Sequence, residues 1–273
     1  MNLTQHTIQS LQQRKTHQEK ISMLTCYDST FAWLVEQSHI DIILVGDSGS
    51  MTLMGYPDTT HATIDMMVSM TGAVRRGASK KFIVADLPFL AHRQGIQHAI
   101  QCVDNLVKAG ANAIKIEGLD GHAHIIADII ESGVPVMGHL GLTPQSVHSL
   151  GYRVQGKAPE QADRIMNQAL QLESLGCFAL VLECVPSPVA AEIAQQLKIP
   201  VIGIGAGAEV DGQVLVLQDM LGMNPTFKPK FVRHFLDGAQ QMLGAFNQFH
   251  EQVQSQNYPT TEESYHLESN KAP

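Results

Sequence analysis

The sequence has few cysteines, and no two of them stand in a CxxC spacing. The four cysteines are Cys26, Cys102, Cys177 and Cys184. Most of them lie in apolar runs, where a reduced cysteine behaves as a small hydrophobic side chain. This pattern predicts neither a disulfide nor a zinc site.

The chain also has little positive charge and no long apolar segment. Its 18 Lys and Arg residues form no cluster and are outnumbered by 26 Asp and Glu residues, which gives a formal net charge of −8. Such a surface argues against nucleic acid as a partner. No apolar run approaches the ~20 residues needed to cross a bilayer, and the first fifteen residues lack an apolar signal core. We therefore expect a cytoplasmic protein without a membrane partner.

What the sequence does contain is a regular alternation of short apolar runs with helical segments. A chain of 273 residues with 44% hydrophobic content can bury a substantial core. The runs with strand character are Ile21–Cys26, Ile42–Val45, Phe82–Ala85, Ala113–Ile116, Val134–Met137, Ala179–Leu182, Val201–Ile204 and Val214–Leu217. Strands that alternate with helices predict a parallel α/β sheet. Eight such units favour a single (β/α)8 TIM barrel, typically about 250 residues long, and leave a doubly wound open sheet as the alternative.

The segments between and beyond these runs predict the helices. Those between strands are Ser29–Gln37, Ile64–Arg76, Gln94–Lys108, His122–Glu131, Glu160–Ser174 and Pro188–Leu197. We expect an extra helix at Thr4–His17, ahead of the first strand, and a last helix at Lys230–Gln252. The polar, proline-containing segment Ser255–Pro273 predicts a loose C-terminal tail. The expected organisation is a barrel domain over 1–254 and a tail over 255–273.

Ionisable side chains follow five successive strand-like runs. They are Asp47, Asp86, Lys115 with Glu117, His139 and Glu183. In a barrel the C-terminal ends of the strands surround one mouth, so these residues should converge on one pocket. Structural alternatives exist: Asp47 as a turn cap, Lys115 paired with Glu117 or Glu183, and His139 as a hydrogen-bonded core residue. Their coincidence at one end of consecutive strands favours a functional site.

Three of these side chains suit a hard metal ion. Asp47, Asp86 and Glu117 offer only oxygen donors, the ligands that Mg²⁺ prefers. Since Mg²⁺ usually keeps several waters and takes one or two protein carboxylates, we expect Glu117 to act through water. Ser48 and Lys115 are suited to hold a substrate anion, with Lys115 supplying positive charge near a carboxylate or an enolate.

The stretch FALVLEC ends a continuously apolar run with the carboxylate of Glu183. A buried charge needs either a partner or a function. Because side chains alternate along a strand, Glu183 faces the barrel interior if Ala179 and Val181 do. We expect a poorly hydrated carboxylate at the rim of the barrel.

A glycine-rich stretch formally matches a dinucleotide fingerprint. Gly203, Gly205 and Ala208 fit the pattern GxGxxG/A. That fingerprint requires a crossover helix within a unit of about 30 residues, and there is no room for one before the next run near Val214. We interpret these glycines as a close backbone approach at the barrel mouth, next to a ligand.

Seven segments together carry a resemblance to a known family. They are TCYD, LVGDS, ADLPF, AIKIEG, GHLGLTPQS, VLECVP and IPVIGIGAG. The chain from about Thr25 to about Phe231 resembles the ketopantoate hydroxymethyltransferases of the pantothenate pathway. The resemblance implies a (β/α)8 barrel, Mg²⁺ dependence, 3-methyl-2-oxobutanoate as acceptor and 5,10-methylenetetrahydrofolate as one-carbon donor. It also implies a ring-shaped homo-oligomer, a homodecamer.

The same resemblance implies roles for individual residues. It places metal ligation on Asp47, Asp86 and Glu117, keto-acid binding on Asp47, Ser48, Asp86 and Lys115, and proton acceptance on Glu183. His139 would either orient the keto acid or serve as the alternative base. Mg²⁺ would draw charge from the keto acid so that its C3 proton can be removed, and the resulting enolate would attack the folate methylene.

The sequence departs from the family pattern at two places. Gly49 and Ser50 replace the usual leucine and glycine, and HSLGYRVQG lacks one glycine of the common GGY form near Gly151. Both departures lie in loops near the expected mouth and leave the ligand set intact.

Two other functions remain alternatives. One is a Mg²⁺-dependent lyase of the phosphoenolpyruvate mutase and isocitrate lyase type. It needs a nucleophilic cysteine, and only Cys184 follows a barrel strand. The other is a non-catalytic barrel that binds a metabolite.

Overall fold

The computed structural model of the chain describes residues 6–226 and 228–266. Eight strands form a closed barrel in chain order, and the first strand pairs with the last. The strands are β1 (Ile21–Thr25), β2 (Ile42–Val45), β3 (Phe82–Asp86), β4 (Ala113–Glu117), β5 (Val136–Gly141), β6 (Ala179–Glu183), β7 (Val201–Ile204) and β8 (Gly212–Leu215). All neighbours are parallel, so their C-terminal ends meet at one mouth. The (β/α)8 fold is confirmed, and the open sheet is wrong.

Helices connect most of the strands. They are α1 (Ile8–Thr16), α2 (Ser29–Glu36), α3 (Gly49–Thr52), α4 (Ile64–Gly77), α5 (Ile96–Ala109), α6 (Ala123–Glu131), α7 (Val147–Leu150), α8 (Pro159–Ser174), α9 (Ser187–Gln196), α10 (Leu217–Met220) and α11 (Gly238–Gln254). Short 3₁₀ turns lie at Thr59–His61, Ala91–Arg93 and Pro144–Ser146. Side-chain caps define several starts, because they satisfy N–H groups that have no partner within the helix. Asp28, for example, accepts from the N–H groups of Thr30 at 2.8 Å and Phe31 at 2.9 Å.

The strand interiors explain why these runs form a barrel. Every residue of β2, β3, β4 and β7 is buried. Strands covered on both faces need continuous apolar sequence, and each fully buried Val, Ile or Leu side chain contributes about 1.5–3 kcal/mol relative to an exposed one. The charged residues at the ends of β3 and β4 are the exceptions to this apolar pattern.

Most of the predicted boundaries agree with the structure. The six helices expected between strands begin and end within two residues of their predicted positions. The N-terminal helix begins at Ile8, after the capping residue Thr7; the predicted start at Thr4 lies outside the described residues. No helix separates β7 from β8, so the dinucleotide fingerprint was rightly rejected.

Three elements have wrongly predicted boundaries: β5, the last helix, and β8, which begins at Gly212 and not at Val214. Strand β5 begins at Val136, two residues late, because Pro135 has no N–H to donate to the ladder, and it continues through His139 to Gly141. Strand β8 ends at Leu215, since the Leu217 N–H instead bonds the Thr25 hydroxyl at 3.0 Å.

The last helix is the third of these corrections. It begins at Gly238 and not at Lys230, because the preceding segment bonds elsewhere. The Phe235 N–H donates to Met220 O at 2.8 Å and the Gly238 N–H to Leu221 O at 2.9 Å, which holds the segment out of helical geometry.

The chain divides into two compact units, residues 1–217 and 218–273. The first contains all eight strands. The second contains α11 and a segment of turns from 255 to 266; the remainder of the predicted tail lies outside the described residues. The division into 1–254 and 255–273 stays a prediction.

All four cysteines are free thiols, and Cys184 alone among them is partly exposed. No helix within the described ranges is long and apolar enough to cross a membrane.

Candidate active site

Six ionisable side chains from five consecutive strands meet at the C-terminal mouth of the barrel. They are Asp47, Asp86, Lys115, Glu117, His139 and Glu183. Asp86, Glu117 and Glu183 are the last residues of their strands, and His139 lies inside β5. Strand register places Glu117 beside His139. Because side chains alternate along β4, Lys115 and Glu117 share one face. The sequence-based grouping of these residues is therefore a spatial cluster.

Lys115 lies at the centre of the cluster and is only 4% exposed. Its Nζ is 3.0 Å from Asp86 Oδ1, 3.8 Å from Glu117 Oε1 and 3.2 Å from His139 Nδ1. Burial alone would lower the pKa of Lys115, but the charges of Asp86 and Glu117 outweigh burial and raise that pKa. Lys115 therefore carries a positive charge. The alternative in which it pairs with Glu183 is wrong, because Glu183 contacts His139 instead.

His139 joins two carboxylates. Its Nδ1 is 3.3 Å from Glu117 Oε1 and its Nε2 is 3.3 Å from Glu183 Oε2. Burial and the nearby Lys115 charge both lower the pKa of His139, but the two carboxylates outweigh them and raise it to about 9. The His139 Nε2 makes no hydrogen bond with the described residues, so the contact with Glu183 is an ion pair by distance alone. This arrangement favours an orienting role over the role of a base.

Asp47 and Asp86 have the least favourable electrostatic surroundings in the cluster. The Asp47 N–H donates to Asp86 Oδ2 at 3.1 Å, so the two carboxylates lie close together. Burial raises the pKa of Asp47 well above its usual range, and the charges of Asp86 and Glu117 raise it further. Burial also raises the pKa of Asp86, which Lys115 only partly offsets. Both carboxyls are short of positive charge.

The lack of positive charge around these carboxyls bears on whether the residues fit a divalent cation. Four carboxylates, those of Asp47, Asp86, Glu117 and Glu183, face two cations, Lys115 and His139. In addition, Asp86 Oδ1 is buried without a hydrogen bond, although the Lys115 ammonium lies within ion-pair distance. A hard cation with oxygen ligands would correct both deficits.

The side chains are not arranged as a complete metal cage. Across residues 6–226 and 228–266, no group of three or more His, Cys, Asp and Glu side chains has the geometry to hold a metal ion. Glu117 is fully engaged by His139, Lys115 and a backbone N–H. Since Mg²⁺ needs only one or two protein carboxylates, Asp47 and Asp86 are the pair that fits it, with Glu117 further out.

Glu183 differs from the other carboxylates in its accessibility. Its side chain is 17% exposed, against 3–5% for those of Asp86 and Glu117, so it is better hydrated than expected. A Cβ at position 141 would collide with the Glu183 carbonyl oxygen, so this approach requires Gly141. Cys184 follows with a φ of +50°. The tight backbone here fixes where Glu183 leaves the strand.

Two residues of the site escaped the sequence analysis. The Tyr27 hydroxyl is 2.8 Å from Ser48 Oγ, and burial raises the pKa of Tyr27 to about 12, so both groups keep their protons. Gln145 donates through Nε2 to Asp47 Oδ2 at 2.7 Å. Both lie inside the quoted segments TCYD and GHLGLTPQS. Neither stands next to a charged residue of the cluster in the sequence, as Ser48 stands next to Asp47, so the pattern gave no signal for them.

The structure also explains the departure at positions 49 and 50. A Cβ on Gly49 would lie 2.6 Å from Met70 Sδ and 2.8 Å from Tyr27 Cδ1, so a side chain cannot enter without repacking. Ser50 is fully buried, and its hydroxyl donates to the Asp47 carbonyl at 2.8 Å. Positions 49 and 50 therefore lie in α3 and not in a loop, and Ser50 holds the backbone of Asp47.

Comparison with known proteins gives consistent matches. The profile of the family described as ketopantoate hydroxymethyltransferase matches residues 5–261. The 3-methyl-2-oxobutanoate hydroxymethyltransferase of Bdellovibrio bacteriovorus is 51% identical over 260 residues, covering 95% of this chain and 99% of that protein. The enzyme of the same name from Legionella pneumophila is 50% identical over 254 residues, covering 92% and 97%.

Solved structures resemble the chain more distantly. A phosphonopyruvate hydrolase in complex with oxalate and Mg²⁺ has a TM-score of 0.62 at 11% identity, covering 97% of this chain and 93% of that one. A 2,3-dimethylmalate lyase of the PEP mutase/isocitrate lyase superfamily has a TM-score of 0.60 at 12% identity, covering 97% and 92%. These likenesses show the fold alone. The sequence matches show more: the chain belongs to the ketopantoate hydroxymethyltransferase family.

Proposed function

We propose that this chain transfers a hydroxymethyl group from 5,10-methylenetetrahydrofolate to 3-methyl-2-oxobutanoate. The products are 2-dehydropantoate and tetrahydrofolate, and one water molecule is consumed to supply the new hydroxyl oxygen. The observation that carries this proposal is the family match over residues 5–261. The charged cluster at the barrel mouth supports it, because the reaction must bind an anionic keto acid and remove a proton from carbon.

Asp47 and Asp86 would hold the magnesium ion, with Glu117 acting through water. The excess of buried negative charge around these three residues supports the assignment. When bound, the ion supplies Lewis acidity toward the oxygens of the keto acid. The phosphonopyruvate hydrolase with a similar fold was solved with oxalate and Mg²⁺, which is compatible with this arrangement.

Lys115 and Ser48 would hold the keto acid. Lys115 is positively charged and buried, so its attraction for a carboxylate or for a keto oxygen that gains charge is weakly screened by water. Ser48 is half-buried at the mouth, and Tyr27 holds its hydroxyl. Asp47 and Asp86 would contact the keto acid only indirectly, since carboxylates repel an anion.

Glu183 would remove the C3 proton of the keto acid. It is the most exposed carboxylate of the cluster and therefore the one that a substrate reaches first. His139 holds the other side of this carboxylate and orients it. The proton passes to Glu183 and the C–H electron pair moves toward the keto oxygen. The enolate carbon bonds to the one-carbon unit and both C–N bonds of the folate methylene bridge break. The oxygen of one water molecule becomes the new hydroxyl oxygen, its two hydrogens replace the carbon on the two folate nitrogens, and the proton held by Glu183 completes the hydroxyl group.

A direct assay separates this function from its alternatives. The purified chain is incubated with Mg²⁺, 3-methyl-2-oxobutanoate and the folate donor, and 2-dehydropantoate is measured by mass spectrometry. Exchange of the C3 proton into D₂O without folate is measured in parallel. The transferase gives both signals, a lyase acts on a different acid, and a non-catalytic barrel gives neither signal.

The structure argues against the lyase alternative at one residue. Burial, and then the charge of Glu183, raise the pKa of the Cys184 thiol to about 11. A thiol with that pKa is not a thiolate at neutral pH and is a poor nucleophile.

Two further parts of the proposal rest on the family. We propose that the protein works in the cytoplasm and assembles as a homodecamer. Light scattering of the purified chain tests the assembly, since a monomeric mass of 29.8 kDa would contradict it.

A further inference from the structure

Gln145 connects three of the loops that carry the charged cluster. It lies in the 3₁₀ turn Pro144–Ser146 after β5 and is only 5% exposed. Its Nε2 donates to Asp47 Oδ2 at 2.7 Å and to the Leu87 carbonyl at 3.0 Å. Its backbone N–H donates to Glu117 Oε2 at 3.0 Å. One buried residue therefore bonds to the ends of β2, β3 and β4.

These bonds occupy some oxygens of the acidic side chains and leave others without a hydrogen bond. Oδ2 of Asp47 is bonded to Gln145, and no hydrogen bond among the described residues ends on Oδ1 of Asp47. Both oxygens of Glu117 are engaged, one by Gln145 and the other by His139. A neutral amide donor fixes the orientation of a carboxylate without neutralising its charge. Asp47 thus keeps a free oxygen, and Gln145 adds no positive charge beside it.

We propose that Gln145 is a positioning residue for the divalent cation: its amide fixes the Asp47 carboxylate so that Oδ1 faces the ion. This inference rests on the proposed function, which places a cation on Asp47 and Asp86. It goes further by naming the residue that orients one of the ligands. Partners that hold metal ligands in place typically change metal affinity 10–100-fold when they are removed.

The side chain and backbone of Gln145 can be tested separately. Gln145→Met has a similar length and loses both amide donors, but it keeps the backbone N–H that bonds Glu117. Any effect of this variant therefore comes from the Asp47 and Leu87 contacts. Gln161→Met is the matched control, because Gln161 is exposed on α8, away from the cluster.

The experiment measures binding of Mn²⁺ alone to the full chain, without substrate, by isothermal titration calorimetry and electron paramagnetic resonance. We expect the dissociation constant of Gln145→Met to rise about 10–100-fold, while that of Gln161→Met is unchanged. Melting in EDTA shows whether each variant folds. If Gln145→Met does not fold, Gln145→Asn carries the same expectation, because its shorter amide cannot reach both Asp47 and Leu87.

The outcomes separate the two proposals. Wild-type binding with equal affinity in the folded Gln145 variants overturns the role of Gln145 and leaves the proposed function standing. Absence of Mn²⁺ binding by the wild type overturns the metal assignment itself, and the role of Gln145 with it. Weaker binding that also changes the Mn²⁺ resonance spectrum supports positioning, since a purely structural contact would alter the melting temperature alone.

Discussion

The two ends of the barrel use the same kinds of charged residues in opposite ways. At the N-terminal end, Asp41 accepts from the Ser22 N–H at 2.8 Å and lies 2.7 Å from Arg14 and 3.2 Å from His6. Burial alone would raise the pKa of Asp41, but these partners outweigh it and lower that pKa to about 2. At the C-terminal end, burial raises the pKa of Asp47, and neighbouring carboxylates raise it further.

This difference separates stability from function. A buried charge that is matched by partners stabilises the fold, whereas an unmatched one costs stability and persists only for another reason. The N-terminal end matches its charges locally: Lys15 reaches Asp211 at 2.7 Å, and Lys81 donates to the Ser38 and Ile40 carbonyls. The C-terminal end retains surplus negative charge. That surplus is what the proposed cation and substrate site would need.

The largest expected effect is a loss of activity when a residue at the C-terminal end, but not one at the N-terminal end, is replaced. Glu183→Gln removes the proposed base, so exchange of the C3 proton of the keto acid should slow by about 10²–10⁴-fold. Glu173→Gln is the matched substitution near the other end, where Glu173 accepts from the Ile199 N–H at 3.1 Å. Exchange followed by NMR in D₂O measures both. Unchanged exchange in Glu183→Gln would show that another group is the base.

The next effect is on the free energy of unfolding, which should fall further when a lysine is replaced at the C-terminal end than at the N-terminal end. Lys115→Met leaves Asp86 and Glu117 buried without their cation, and removing one partner of a buried ion pair typically costs about 3–5 kcal/mol. Lys15→Met breaks the Asp211 pair, whose side chains are 13% and 19% exposed, and should cost only about 1 kcal/mol. Urea unfolding in EDTA measures the free energy of each variant. Equal losses would contradict the comparison.

A third test expects effects of opposite sign on stability from the same Asp→Asn replacement made at two positions. Asp41→Asn should lower the free energy of unfolding at pH 7 by about 2 kcal/mol, since the folded state lowers that pKa from 3.8 to about 2. Asp47→Asn should raise the free energy of unfolding by about 1 kcal/mol in EDTA, because it removes one of the mutually repelling carboxylates. The same substitution should abolish activity.

The Asp41 effect has a defined pH window. A carboxyl with a lowered folded pKa contributes its full stability above its unfolded pKa of 3.8 and loses that contribution as the pH falls toward 2. The difference between wild type and Asp41→Asn should therefore shrink below pH 4 and vanish only below pH 2. A difference that stays constant with pH would show that the ion pairs do not stabilise the fold.

The sequence predicted the fold well because barrel strands carry their signal locally. Continuous apolar runs located β2 and β7 at their observed ends, and β5 failed where a proline and a polar continuation interrupted the pattern. The charged cluster was predictable for the same reason, since each member lies in or just after a strand-like run.

Tyr27 and Gln145, unlike Ser48 beside Asp47, could not be predicted from such a signal. Gln145 and Asp47 are 98 residues apart, and their hydrogen bond depends on loop geometry that exists only once the barrel closes. Likewise, nothing in the sequence distinguishes the partner of Glu183. The pattern left Lys115 as one candidate. The register of β5 and β6 pairs His139 with Val181, two residues before Glu183, and the His139 ring lies 3.3 Å from the Glu183 carboxylate.

The smallest expected effect removes one hydrogen bond at each end of the barrel. Tyr27→Phe frees the Ser48 hydroxyl, which Tyr27 contacts at 2.8 Å, so the KM for the keto acid should rise a few-fold, as loss of about 1 kcal/mol of binding implies. Ser22→Ala removes the hydroxyl that donates to Asp41 at 2.8 Å and should lower stability by about 1 kcal/mol without changing the KM. Steady-state kinetics and urea unfolding on both variants give a two-by-two comparison. Hydrogen bonds at the mouth should affect binding and those at the opposite end should affect folding, so a KM change in Ser22→Ala would break the distinction between the two ends.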